Sequence, residues 1–195
     1  MERLLSEGTS ITSNSFYGLA KKNAEIELLK SDSPMEIIIL RPTFIWGPNS
    51  KSLDEILSKA KQGKFLWVDN GNSSFEAVHV NNVAEAVVLS LENGKSHSIY
   101  FVTDNEPITV KQFFTRYFSK MGVPIPKKSV PKFAANTLAN LFEIAWKLLR
   151  LPSPPPLTRF DLSFVSMPRR YNIEKTIEEL GYRPIINREN GFKNI

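Results

Sequence analysis

The chain has 195 residues, 42% of them hydrophobic, which excludes a disordered chain and sets the expectation of one main domain with an appendage. Its formal charge of +5 is spread along the sequence, with short pairs such as Lys127-Lys128 and Arg169-Arg170 but no long basic run. Most of that charge therefore reads as solvated surface, an anionic cofactor or anionic lipid surface is the functional alternative, and nucleic acid is set aside as a partner. The absence of cysteine removes disulfides, thiolate catalysis and cysteine-ligated zinc together, and two histidines far apart leave no metal site in the pattern.

The opening MERLLSEGTS has no apolar run of signal-peptide length, and no window reaches the ~18 charge-free apolar residues of a spanning helix. The expected location is intracellular, in the cytoplasm or at the cytosolic face of a membrane. Asn14 or Ser13 caps a helix that runs through Tyr17 and Lys21 to about Leu29 and is closed by SDSP. EIIILR, residues 36 to 41, is a β-branched apolar run that reads as a strand covered on both faces, followed by a loop with Pro42 and Gly47-Pro48. Leu53, Ile56, Leu57 and Ala60 recur at helical spacing, FLWV is a short strand, and NGN at 70 to 72 is a turn before FEAVHV. His79, in that last run, reads as a core histidine with a hydrogen bond rather than a catalytic base. Residues 81 to 94 form a helix with a glycine stop, SIYFVT is another buried strand, and Thr109 caps a helix from Val110 to about Met121. SPPP at 153 to 156 separates two further helical stretches. Strands alternating with helices predict an α/β architecture with a mostly parallel sheet.

FYGLAK, residues 16 to 21, places Tyr17 and Lys21 one helical turn apart on one face. A free tyrosine is a poor base near neutrality, and an adjacent cation favours its phenolate, which opens proton exchange with a substrate hydroxyl or carbonyl. For the pair alone, a core tyrosine beside a snorkelling lysine is the commoner reading.

The order of four stretches carries more than any one of them. Tyr17-x-x-x-Lys21 is followed by LRPTFIWGP, then FEAVHVNNVAEAV, then PPLTRFDLSFVS with RRYNIEKTIEELGYRP. From about residue 10 to the end, this series resembles the extended short-chain dehydrogenase/reductase superfamily and its 3β-hydroxysteroid dehydrogenase branch, including the sterol-carboxylate dehydrogenases. Trp46 stands where that pattern usually has tyrosine, and Asn82 where it usually has aspartate. The resemblance implies the C-terminal part of a doubly wound, Rossmann-like parallel sheet over residues 1–106, and a small, mostly helical substrate subdomain over 107–195. It implies Tyr17 as general acid/base, with Lys21 lowering its pKa and hydrogen-bonding the nicotinamide ribose. Backbone around Pro42, Thr43, Phe44 and Ile45 then lines the nicotinamide end of NAD or NADP. The implied substrate is a secondary alcohol or ketone on an apolar, sterol-like molecule, as in steroid biosynthesis.

Two features qualify that expectation. No two of the nine glycines lie within five residues of each other, so these residues hold no Gly-rich turn for a dinucleotide pyrophosphate. No serine or threonine is assigned to hold the substrate oxygen, because Ser10, Thr12, Ser13 and Ser15 lie close to Tyr17 and lack a strand. The chain is thus expected to be inactive alone and to pair with itself or with a partner supplying the nucleotide half. The rival expectation is a non-catalytic binding module at a membrane or on a partner chain. Residues 133 to 151 bear on it: Asn136, Thr137, Asn140, Glu143, Lys147 and Arg150 form one polar stripe, leaving a broad apolar face. That face either packs on the substrate region or lies on a membrane, with Lys132, Lys147, Arg150 and Trp146 at headgroup level.

Overall fold

The computed structural model of the chain describes residues 3–10, 15–153, 155–166 and 168–195. The cap expected at Ser13 or Asn14 lies outside these residues. Helix α1 (Phe16–Lys30) is capped instead by Ser15, whose Oγ accepts the Gly18 N–H at 3.1 Å. Gly18 costs the helix about 1 kcal/mol relative to alanine, a cost spread over a run otherwise rich in Ala, Leu, Lys and Glu. Gly18, Lys22, Glu25, Ile26 and Leu29 are its half-buried side, and Tyr17 and Lys21 flank that side, exposed.

The apolar run at 36 to 41 becomes strand β2 (Ile38–Pro42), which pairs in parallel with β7 (Ser98–Val102), Ile38 opposite Ser98 and Pro42 opposite Val102. One residue further on, β3 (Phe44–Trp46) pairs in parallel with a different strand, β6 (Ala77–His79). Thr43 sits where the partner changes, and its N–H donates to Val102 O at 3.1 Å. Parallel neighbours require long crossovers, supplied here by helices α2 (Lys51–Lys61) and α3 (Val80–Asn93). Two more parallel pairs form, β4 (Trp67–Val68) with β9 (Ser129–Val130) and β1 (Arg3–Leu5) with β10 (Arg169–Tyr171). Among the described residues, only β5 (Ser74–Phe75) with β8 (Ile108–Thr109) is antiparallel. The expected α/β class with mostly parallel strands is what forms.

Thr109 closes a capping box with Gln112 at the start of α4 (Val110–Lys120), as its position before an apolar periodic run predicts. Phe113, Phe114, Tyr117 and Phe118 of α4 pack with Trp46, Leu53, Trp67 and Phe75 into the largest core cluster, which draws on both sides of residue 106. A second cluster joins β2 and β7 to α7 (Glu174–Leu180) through Tyr100, Val102, Leu180 and Tyr182. The rest of the C-terminal part is α5 (Lys132–Leu148), α6 (Arg159–Ser166) and the short α8 (Arg188–Lys193).

Candidate active site

Tyr17 is 55% exposed, and the Lys21 ammonium lies 5.7 Å from its ring centroid. The ring also packs against Phe160 of α6, centroid to centroid 4.5 Å. A contact between two helices that begin 143 positions apart has no local signal in the sequence. It sets one wall of the candidate site with a residue of the C-terminal part. Ser15, one of the hydroxyls near Tyr17, is the helix cap, whereas Thr12 and Ser13 lie outside the described residues.

The segment expected to be a loop lining a nicotinamide is strand except at Thr43, with Pro42 ending β2 and Phe44 and Ile45 opening β3, because each side finds a parallel partner where the chain changes from β7 to β6. Crevices at such changes of partner are where α/β sheets receive ligands. Pro42 is exposed and Ile45 is 41% exposed, so both offer surface. Thr43 is half-buried, its N–H and hydroxyl both directed at Val102 O. The Phe44 ring packs against Phe75, Phe113 and Phe114. The chemistry of these residues suits the nicotinamide–ribose end of a dinucleotide: an ammonium and a phenol match ribose hydroxyls, and the exposed Pro42 and Ile45 are apolar. A pyrophosphate has no corresponding cradle among the described residues.

Helix α1 and strand β2 are tied by a bidentate ion pair that the sequence reading did not identify. Arg41, the residue before Pro42, donates from Nε to both Glu25 oxygens at 3.1 and 3.2 Å and from Nη2 at 2.5 Å. Both side chains are largely buried, and the guanidinium lies over the Phe101 ring at 5.5 Å. The sequence holds no local signal for it, since the four-residue spacing predicts a pair between Glu25 and Lys21 instead.

Behind the Pro42–Ile45 segment, Thr43, Phe44, Ser74, Glu76, Ser163, Arg169 and Tyr171 surround a cavity of about 30 Å³, room for one water. Burial pushes the Glu76 carboxyl above the ordinary range, opposed by the Tyr171 N–H at 3.1 Å and by Arg170. This carboxyl connects that region to β10.

The two departures from the family pattern, Trp46 and Asn82, share an acceptor. Buried Asp104 receives Trp46 Nε1–H at 2.7 Å on Oδ2, and the His79 N–H at 2.7 Å and Asn82 Nδ2–H at 2.6 Å on Oδ1. Asn82 also donates to Ile186 O at 2.8 Å and accepts the Ile186 N–H at 2.9 Å, using both ends of its amide. An aspartate at 82 could not donate either bond and would set a second carboxylate against Asp104. His79 is buried; its Nδ1 accepts the Asn81 N–H at 3.2 Å, and Nε2 is enclosed without a partner. Burial lowers its pKa, and burial raises that of Asp104 despite three donors. None of the described residues form a cluster that could hold a metal ion.

The family model described as the 3-beta hydroxysteroid dehydrogenase/isomerase family matches residues 6–133. A 4-hydroxy-2-methyl-3-oxo-4-farnesyl-3,4-dihydroquinoline-1-oxide ketoreductase from Stigmatella aurantiaca is 29% identical over 90% of this chain and 53% of its own length. A decarboxylating sterol-4-alpha-carboxylate 3-dehydrogenase from Dictyostelium discoideum is 29% identical over 92% of this chain and 56% of its own. Among solved structures, a dTDP-glucose 4,6-dehydratase from Streptomyces venezuelae with NAD bound superposes with TM-score 0.71 at 16% identity, covering 99% of this chain and 53% of that one. The chain spans about half the length of the curated relatives it matches.

Proposed function

The chain belongs to the 3-beta hydroxysteroid dehydrogenase/isomerase family, and from that premise we propose that it is the catalytic and substrate-binding part of an NAD(P)-dependent oxidoreductase. It interconverts a secondary alcohol and a ketone on an apolar substrate, with sterol-like molecules among the candidates. The observation that carries this reading is the Lys21 ammonium beside the exposed Tyr17 ring, on a helix that forms no ion pair at Lys21. In the reducing direction Tyr17 donates its phenolic proton to the carbonyl oxygen; in the oxidising direction its phenolate removes the alcohol proton. Lys21, beside the Tyr17 ring, donates to ribose hydroxyls, while Pro42 and Ile45 present an apolar surface to the nicotinamide. The nicotinamide, when bound, supplies or accepts the hydride. The apolar substrate class agrees with the farnesyl and sterol compounds in the relatives' names.

The test has two arms, the chain alone and the chain joined to the unmatched part of the Stigmatella aurantiaca ketoreductase. Titration with NADH and NADPH is followed by turnover of apolar 3-oxo acids and 3-oxo sterols. The expected result is no micromolar binding by the chain alone, because its sequence has no Gly-rich turn to cradle a pyrophosphate, and binding with turnover by the joined protein. A joined protein that binds dinucleotide and reduces nothing would favour the non-catalytic binding module.

A second reading concerns α5. Its packed side is Ala135 and Ala139, with Glu143 paired to Arg159 of α6 at 2.7 Å, and Phe133, Leu138, Leu141, Ile144 and Leu148 are exposed. Phe133 is 74% exposed, Leu148 is 80% exposed, and Leu141 and Ile144 complete a stripe at helical spacing between them. Lys127, Lys128, Lys147 and Arg150 are exposed and lie in or beside this helix in sequence, whereas Lys132, expected at headgroup level, turns its ammonium inward to Ser166 O at 2.7 Å. We propose that this face lies on an anionic membrane surface, as an interfacial helix. No described helix is long and apolar enough to cross a membrane. Trp146 is not on this face: it is half-buried, T-shaped against Phe142 at 5.9 Å. Flotation with phosphatidylserine-containing vesicles should retain the chain, and Leu141→Glu with Leu148→Glu should release it. An unbound wild-type chain at low salt would remove this reading.

A further inference from the structure

Lys21 and Glu25 are four residues apart on α1, a spacing at which a lysine and a glutamate ordinarily reach each other. Here they do not pair. Both Glu25 oxygens are taken by the Arg41 fork, whereas Lys21 turns back over Tyr17. Arg41 is also the last residue before the Pro42–Ile45 segment, and its guanidinium is fixed from below by the Phe101 ring. One guanidinium thus holds the helix that carries the acid/base pair to the strand that leads into that segment, while occupying the carboxylate that would compete for the pair's cation.

We propose that Arg41 and Glu25 are positioning residues for the oxidoreductase site: Arg41 sequesters Glu25 and so leaves the Lys21 charge to Tyr17. The proposal rests on the reading of Tyr17 and Lys21 given above, but its test needs neither dinucleotide nor turnover. Nitration by tetranitromethane consumes phenolate, so its rate at an exposed tyrosine reports how far the neighbouring cation favours that form. Peptide mapping reads the rate at Tyr17 alone. Lys22, three residues before Glu25, is the other cation within reach of a released carboxylate, so Lys22→Gln is carried in every variant, the reference included.

Arg41→Gln should slow Tyr17 nitration about twofold, the size of effect a helix-surface ion pair supports. Adding Glu25→Gln to Arg41→Gln should restore the reference rate, because the competing charge is gone. Glu25→Gln alone should leave the rate unchanged or raise it. Arg41→Lys, which replaces the fork by a point charge, should slow it partway and decides the matter if Arg41→Gln does not fold. A merely structural tie predicts a different pattern, since either half of the pair would then matter equally. The proposal is overturned if Glu25→Gln slows nitration as Arg41→Gln does, if the double variant stays slow, or if Arg41→Lys matches the reference. A correct nitration pattern in a joined protein that reduces nothing would uphold the positioning and remove the oxidoreductase reading.

Discussion

The Asp104 hub and the Tyr17 face lie on one chain and are built on opposite terms. The hub is buried and both oxygens of its carboxyl are occupied: Asp104 takes three donors from three elements, and Asn82 carries the network on to Ile186 near the C-terminus. The Tyr17 face is open, with an exposed phenol, a cation without a carboxylate, and the apolar Pro42 and Ile45 toward solvent. Polar groups in the hub fix the fold, because leaving any of them unpaired costs more than its net bond contributes. Polar groups on the Tyr17 face have little to do with the fold and are therefore available for chemistry.

Substitutions break this comparison in graded steps. The largest stability loss should come from Asp104→Ala, which orphans Trp46 Nε1, the His79 N–H and Asn82 Nδ2 at once; chemical denaturation should show about 3 kcal/mol or more. Gly191→Ala comes next. A Cβ there would meet the Trp46 ring at 2.5 Å and His79 at 3.0 Å, both buried, so about 1–3 kcal/mol should be lost through overpacking.

The third effect depends on pH. Burial lowers the folded-state pKa of His79 below its ordinary 6.5, so its stability contribution is full above that value and lost as pH falls below it. Asp104 and Glu76 act in the opposite sense, since their raised folded-state values favour the folded chain as pH falls through them. The difference between wild type and His79→Gln isolates the histidine: as pH falls from 6.5 to 5.5 the wild type should lose stability relative to the variant, with a slope that does not exceed about 1.4 kcal/mol per unit. The smallest effects belong to the open surfaces: Tyr17→Phe, which keeps the ring on Phe160, and Leu148→Glu should each leave stability within about 0.5 kcal/mol.

The two regions also differ in how legible they were. Tyr17 and Lys21 are four residues apart on a helix with good formers, and the strand EIIILR is unmistakable by composition, so local pattern was sufficient to place them. The hub could not be found that way. Trp46 and Asn82 looked like unrelated departures from a family pattern until Asp104, 58 and 22 residues further on, accepted a bond from each. The same distance hid the contact between Tyr17 and Phe160, and the pairing of β1 with β10. Helix α5 was misjudged in one respect for a physical reason. Its polar stripe does face water at Thr137, Asn140, Lys147 and Arg150, but Glu143 turns to Arg159 and the buried positions of the helix are the small residues Ala135 and Ala139. The large apolar residues are left outside, and Trp146, read as a headgroup anchor, is half-buried.

The central claim is that the phenolic oxygen of Tyr17 handles the proton, and one comparison tests it directly. In the chain joined to the unmatched part of the Stigmatella aurantiaca ketoreductase, ketone reduction and NAD(P)H affinity are measured for wild type and Tyr17→Phe. The account predicts a loss of about 10² to 10⁴-fold in rate with dinucleotide affinity nearly unchanged. Turnover by Tyr17→Phe close to that of the wild type would contradict it.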